Sequence, residues 1–195
     1  MRCWSYEMPR QRALDRLCSD IKACRRCSLH ESTSQALCGE GSADASISFI
    51  AQAPGETEEK VCRMFMGPTG GVVDQLFQSV HLSREEVYMT NLIKCRLPGN
   101  RKPKMAEIES CGFHLNREIE IVKPRLLIPM GYYATRYLLD RYGLTHINAK
   151  EQIGKLYIFG SFLIYPVRHP SALLHNPSLR DEMFRDFERI PYLRE

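Results

Sequence analysis

Four of the eight cysteines in this 195-residue chain stand at Cys24 and Cys27 and, far downstream, at Cys95 and Cys111. Residues so distant can meet only if the fold carries the N-terminal region onto the middle of the chain. A tetrathiolate made in that way holds zinc or an iron–sulfur cluster, and thiolates alone do not choose between them. The competing reading makes each cysteine a small buried hydrophobe. It is the reading taken for Cys3, Cys18, Cys38 and Cys62, which have no comparable spacing. Three motifs are interleaved with the cysteines: Ala51-Gln52-Ala53-Pro54-Gly55-Glu56, Thr90-Asn91-Leu92-Ile93-Lys94-Cys95 and Arg168-His169-Pro170-Ser171-Ala172. Each follows an apolar run that reads as a buried strand.

The length favours one domain, residues 1–195, large enough to bury a core without staples. Lys plus Arg number 27 against 23 Asp plus Glu, a net charge of +4. That excess permits an anionic partner without demanding one. No stretch reaches the ~18 apolar residues of a membrane span. The start, Met1 to Glu7, lacks the apolar segment of a signal peptide. The cytoplasm is the expected setting, where thiols stay reduced and clustered cysteines read as metal ligands.

Hydrophobic spacing predicts a helix over 9–24, with Ala13, Leu14, Leu17, Cys18 and Ile21 on one face. Further helices are expected over 70–81, 104–122, 132–142 and 179–190. Strands are expected at 47–50, 87–90 and 126–130, and two short β-like runs within 156–167 flank Gly160-Ser161. Strand alternating with helix means a mainly parallel sheet covered on both faces. In such sheets ligands bind at the carboxyl ends of the strands, where all three motifs fall.

These residues carry a resemblance. From about Cys24 to Pro177 the chain resembles the family 4 uracil-DNA glycosylases, the iron–sulfur members of the uracil-DNA glycosylase superfamily. The resemblance rests on the two cysteine pairs and on Ala53-Pro54-Gly55-Glu56, Phe65-Met66-Gly67-Pro68-x-Gly70 and Tyr88-x-Thr90-Asn91-x-x-Lys94-Cys95-Arg96-x-Pro98-Gly99-Asn100-Arg101. It continues through Met130-Gly131 and His169-Pro170-Ser171-Ala172-Leu173-Leu174-x-Asn176-Pro177. It implies a three-layer α/β/α sandwich on a short, mainly parallel four-stranded sheet, with the helix over 9–24 tied in by the metal cluster. It also implies a structural 4Fe–4S cluster on Cys24, Cys27, Cys95 and Cys111, and a monomer acting on uracil-containing DNA in a prokaryotic cytoplasm.

By the same resemblance, Phe65 stacks on a flipped uracil, Asn91 pairs with its O4/N3 edge and His169 donates to O2, with Gln52 and Ala53 lining the same pocket. A side-chain amide offers the donor and the acceptor that this edge requires; cytosine reverses the edge and would leave buried groups unpaired. Lys94, Arg96, Arg101 and Lys102 are expected to meet phosphates. Ser171, Leu173, Leu174 and His175 form a tip that wedges into the duplex where the base leaves. One departure stands out: the family usually has an acidic residue where this chain has Gln52, and glutamine cannot accept a proton. Glu56, Glu58 and Glu59 follow closely and could supply the carboxylate, so Gln52, Glu56, Glu58 and His169 are the expected catalytic set. The rival expectation is a protein that binds uracil or another deaminated base in DNA with weak or lost turnover.

Overall fold

In the computed structural model, residues 9–144 and 148–193 are described; Cys3 and the Met1–Glu7 segment lie outside them. The chain forms α1 (Pro9–Lys22), α2 (Leu29–Ser32), β1 (Glu40–Gly41), β2 (Ile47–Ala51), α3 (Glu56–Val61), α4 (Pro68–Ser79) and β3 (Tyr88–Asn91). Then follow α5 (Met105–Val122), β4 (Leu126–Pro129), α6 (Tyr132–Arg141), β5 (Tyr157–Phe159), β6 (Phe162–Ile164), α7 (Ala172–His175), α8 (Arg180–Glu188) and α9 (Ile190–Leu193).

The sheet has six strands, in the order β1-β3-β2-β4-β6-β5, and not the four expected. The inner four, β3-β2-β4-β6, are parallel, and the antiparallel β1 and β5 are added at the two edges. The missed edge strand, β1, is two residues long and lies in the Gly- and Ser-rich connection, too short to show a period. The expected β-like runs flanking Gly160-Ser161 are the β5–β6 hairpin.

Alternation along β2 explains the layers. Ile47, Phe49 and Ala51 face one core, shared with Val73 and Leu76 of α4 and Met183 and Phe187 of α8. Ile50 faces the other, shared with Leu17 and Ile21 of α1, Leu115 of α5 and Leu138 of α6. Both faces are therefore covered, and every residue of β2, β3 and β4 is buried, as parallel sheets require. β2 is central and its parallel neighbours β3 and β4 lie on opposite sides, so the chain reverses direction across the sheet there. That places a crevice at the strand ends.

A buried polar network closes the end of β3. The Lys94 ammonium donates to the Glu118 carboxylate at 2.6 Å, to Thr90 Oγ1 at 2.6 Å and to the Asn91 carbonyl at 2.7 Å. Thr90 Oγ1 and the Gly39 backbone N–H also donate to Glu118. Both charged side chains are only 2% exposed. An ion pair this deep gains little over apolar packing, but loss of one partner strands the other charge. Lys94→Met is expected to lower unfolding free energy by about 3–5 kcal/mol, and the pair Lys94→Met with Glu118→Leu to recover most of it. Urea unfolding of both variants, read alongside the parent, checks this through the midpoints.

A second tie was not expected. Cys18 of α1 and Cys38 are joined in a disulfide with Cα atoms 5.4 Å apart, so their reading as separate buried hydrophobes is corrected. Cys62, read in the same way, is exposed. The spacing of Cys18 and Cys38 carries no disulfide signal, and only the packing of α1 beside the chain entering β1 brings them together. Among the described residues no helix is long and apolar enough to cross a membrane.

Candidate active site at the strand ends

The crevice is a cavity of about 500 Å³. Parallel pairing builds its walls. Ala51 at the end of β2 is in register with Asn91 at the end of β3. The loops beyond stay laced, Leu92 N–H donating to the Ala51 carbonyl and Ile93 N–H to the Gln52 carbonyl. On the other side Met130, just past β4, bridges to Val167, and Gly131 N–H donates to the Val167 carbonyl at 2.9 Å. Gly131 has φ +81°, and a Cβ there would meet His169 Cβ at 3.1 Å. Only glycine suits both the turn and the close approach. Gln52, Ala53, Glu58, Phe65, Asn91, His169, Ser171 and His175 all line the cavity, so eight expected site residues converge there.

Phe65 is held in a left-handed conformation, φ 52°, which is uncommon for a bulky residue. Arg84 explains it by donating to the Met64 carbonyl at 2.8 Å and the Phe65 carbonyl at 3.0 Å. The Phe65 carbonyl would also lie 1.8 Å from a Cβ on residue 70, so Gly70 is required at that position. Arg84 was missed because it sits 19 residues from Phe65 and outside every motif. Tyr132, at the start of α6, also lines the cavity unannounced by any motif.

The glutamates separate. Glu58 lines the cavity, and its Oε1 accepts from the Gly67 N–H at 2.8 Å. Gly55 leaves room for it, since a Cβ there would meet Glu58 Oε2 at 2.5 Å. Glu56, expected in the catalytic set, turns outward to Lys60 and Arg96 and is absent from the cavity lining. Its position as the first residue of α3 points it to solvent, while Glu58 lies two residues on. Glu59 accepts from Thr33 Oγ1 and Ser34 N–H instead.

Burial pushes the His169 imidazole down to about 4, against a smaller upward pull from Glu58. Near neutral pH the ring is therefore uncharged and carries one N–H. The Ser171 backbone N–H donates to His169 Nδ1 at 3.2 Å, so Nδ1 holds the lone pair and accepts from Ser171 Oγ at 2.7 Å. The proton is left on Nε2, available to donate.

Sequence reasoning overcounted the free cations. Lys94, expected at phosphates, is buried with its ammonium spent on Glu118, Thr90 and Asn91. Arg96 is paired with Glu56 at 3.3 Å and Glu59 at 3.7 Å. Arg101 grips Glu107 through both oxygens, at 2.9 and 2.5 Å. Lys102 is exposed. In the tip, Leu173 packs partly against the core while Leu174 is exposed.

The four cysteines of the two pairs line one small cavity between α1, α2 and α5. Burial and the neighbouring thiols Cys111, Cys27 and Cys24 push the Cys95 thiol up to about 12; burial likewise pushes Cys111 up to about 11. The Lys94 backbone N–H donates to Cys111 Sγ at 3.1 Å. Among the described residues, no group of three or more His, Cys, Asp or Glu is placed to hold a metal ion. The four cysteines share one lining, but among the described residues they do not form a ready metal-holding group.

Comparison with known proteins agrees with the geometry. The model of the uracil DNA glycosylase superfamily matches residues 38–190. A type-4 uracil-DNA glycosylase of Saccharolobus solfataricus is 36% identical over 182 residues, covering 91% of this chain and 84% of the relative. Those of Sulfurisphaera tokodaii and Archaeoglobus fulgidus are each 33% identical, over 91% of this chain and 83% and 92% of themselves.

The His169 environment makes a stability prediction. The ring binds its proton at 6.5 when unfolded and about 4 when folded, so between those values the unfolded state holds more protons. Stability is then fully present above pH 6.5 and falls as pH drops toward 4. Urea midpoints of the parent are expected to decline across that window more steeply than those of His169→Gln, which has no imidazole to protonate.

Proposed function

The chain belongs to the uracil DNA glycosylase superfamily, and we propose that it flips uracil out of DNA and hydrolyses its N-glycosidic bond, leaving an abasic site for base-excision repair. The observation that carries this reading is the single cavity lined by Gln52, Phe65, Asn91 and His169 at the parallel strand ends. A nucleobase must leave the stack to reach such a cavity. Phe65 then offers it a ring face, and the Asn91 amide offers the donor–acceptor pair that uracil matches and cytosine does not.

As the C1′–N1 bond breaks, the electron pair goes to the uracil ring and charge collects at O2. The neutral His169 Nε2–H stabilises that charge without giving up its proton, a contribution of a few kcal/mol for a well-placed donor. Glu58 is the carboxylate that offsets positive charge on the sugar, orients the water whose oxygen bonds C1′ and takes up the proton that this water loses. Gln52, where the family usually has an acid, contributes a neutral contact. The rival reading of lost turnover is not supported: the relatives are named as glycosylases, and a carboxylate, Glu58, remains in the cavity.

Lys102 supplies phosphate attraction, and Arg96 and Arg101 would have to exchange a carboxylate for a phosphate to join it. Leu174 and His175 form the wedge. The protein is proposed to act as a monomer in the prokaryotic cytoplasm, held to the nucleoid through DNA. Cys24, Cys27, Cys95 and Cys111 are proposed to hold a 4Fe–4S cluster. The fit rests on four cysteines lining one cavity and on the backbone N–H given to Cys111 Sγ. When bound, the cluster supplies structural cross-linking of the N-terminal region to α5, not chemistry on the base.

An oligonucleotide with one uracil, cleaved by alkali after incubation, tests the activity. Glu58→Gln is expected to lose at least tenfold in single-turnover rate with DNA binding kept, while Glu56→Gln stays near the parent. No strand cleavage by the parent protein would end the glycosylase reading. In the same assay Asn91→Asp is expected to lose orders of magnitude on uracil and gain measurable excision of cytosine. Unchanged rate and selectivity in that variant would remove Asn91 from base recognition.

A further inference from the structure

One buried side chain beside the four cysteines has ring nitrogens that the fold leaves without a partner. His114 is 4% exposed, and neither of its ring nitrogens has a hydrogen-bond partner among the described residues. Buried polar groups are rarely left so, because each unpaired one keeps its full desolvation cost. His114 follows Cys111 by three residues on α5, which places both on one helix face. Both line the same cavity, together with Cys24, Cys27 and Cys95.

Two donors that share this lining, His30 and the Lys94 ammonium, are engaged elsewhere. His30 also lines this cavity, but its Nδ1 donates to the Cys27 carbonyl at 2.6 Å, so a neutral His30 has no N–H left to give. The Arg26 Nε donates to the Ser110 carbonyl, and its guanidinium lies 4.5 Å over the Phe113 ring. The Lys94 ammonium is fully engaged with Glu118, Thr90 and Asn91. His114 keeps an unpaired ring N–H beside the cavity that the four cysteines line.

Resting on the cluster reading above, we propose that His114 donates a ring N–H hydrogen bond to a sulfur of the bound iron–sulfur cluster. Such a bond draws electron density from the sulfur and favours the reduced, more negative form, which raises the reduction potential. His114 is thus a positioning and tuning residue for the cluster, outside the uracil chemistry. It also gives this chain a cluster environment that differs from a purely apolar one.

The test uses the full chain purified without oxygen. Iron and acid-labile sulfide analysis of the parent comes first; their absence overturns the cluster reading and this inference with it. With the cluster loaded, dye-mediated reductive titration is expected to give His114→Leu a more negative midpoint than the parent. His114→Gln, which keeps an amide N–H, is expected to lie between them. An unchanged midpoint in His114→Leu overturns the inference alone. Should His114→Leu fail to load, the parent decides: grown with ¹⁵N-histidine and reduced, it is expected to show ring-nitrogen coupling to the cluster in pulsed electron paramagnetic resonance. No such coupling overturns the proposal.

Discussion

A single buried ammonium joins the two working parts of this molecule. Lys94 holds the Asn91 carbonyl with its side chain and donates its backbone N–H to Cys111 Sγ, and the next residue is Cys95. Glu118 anchors it from α5, and the same carboxylate collects Thr90 and the Gly39 N–H. The end of β3 therefore cannot move without disturbing the strand-end cavity on one side and the cysteine-lined cavity on the other. A charge in such a place adds little net stability, because desolvation consumes most of the Coulombic gain. What it supplies is a fixed geometry, since three donors on one nitrogen leave few alternative positions.

Around that anchor the pocket is assembled by register. Ala51 pairs with Asn91 and Met130 with Val167, so the loops carrying Gln52, Asn91 and His169 emerge at one edge of the sheet. Local constraints then aim each group. Arg84 holds the left-handed Phe65, Gly131 admits His169, and Gly55 with Gly67 leaves room for the Glu58 carboxylate. The electrostatic result is a neutral imidazole near a carboxylate. Burial that removes the charge from His169 leaves a donor suited to a developing anion, and a cation there would instead compete for Glu58.

The three loop motifs were legible because each pairs an apolar strand with polar residues at its end, a pattern that survives any detail of packing. The basic segment was misread for a related reason. Five cations between 94 and 104 count as charge in a sequence, but Lys94, Arg96 and Arg101 each meet a carboxylate that lies 24, 40 and 6 residues away. Only the fold says which cations are already neutralised. The same limit applies to Glu56 and Glu58, two positions apart on α3 and yet on different sides of the pocket wall.

From residue order alone came the alternation of strands and helices, the loops that carry the site and the pairing of distant cysteines. Each of these depends on local periodicity or on residue types that few other roles explain. The tertiary structure decided what depends on separation in space. It added the β1 edge, joined Cys18 to Cys38, buried Lys94, turned Glu58 inward and left His114 with both ring nitrogens unpaired. Those outcomes depend on which groups meet after the chain has closed, because burial and pairing energies belong to contacts between elements and not to any one segment.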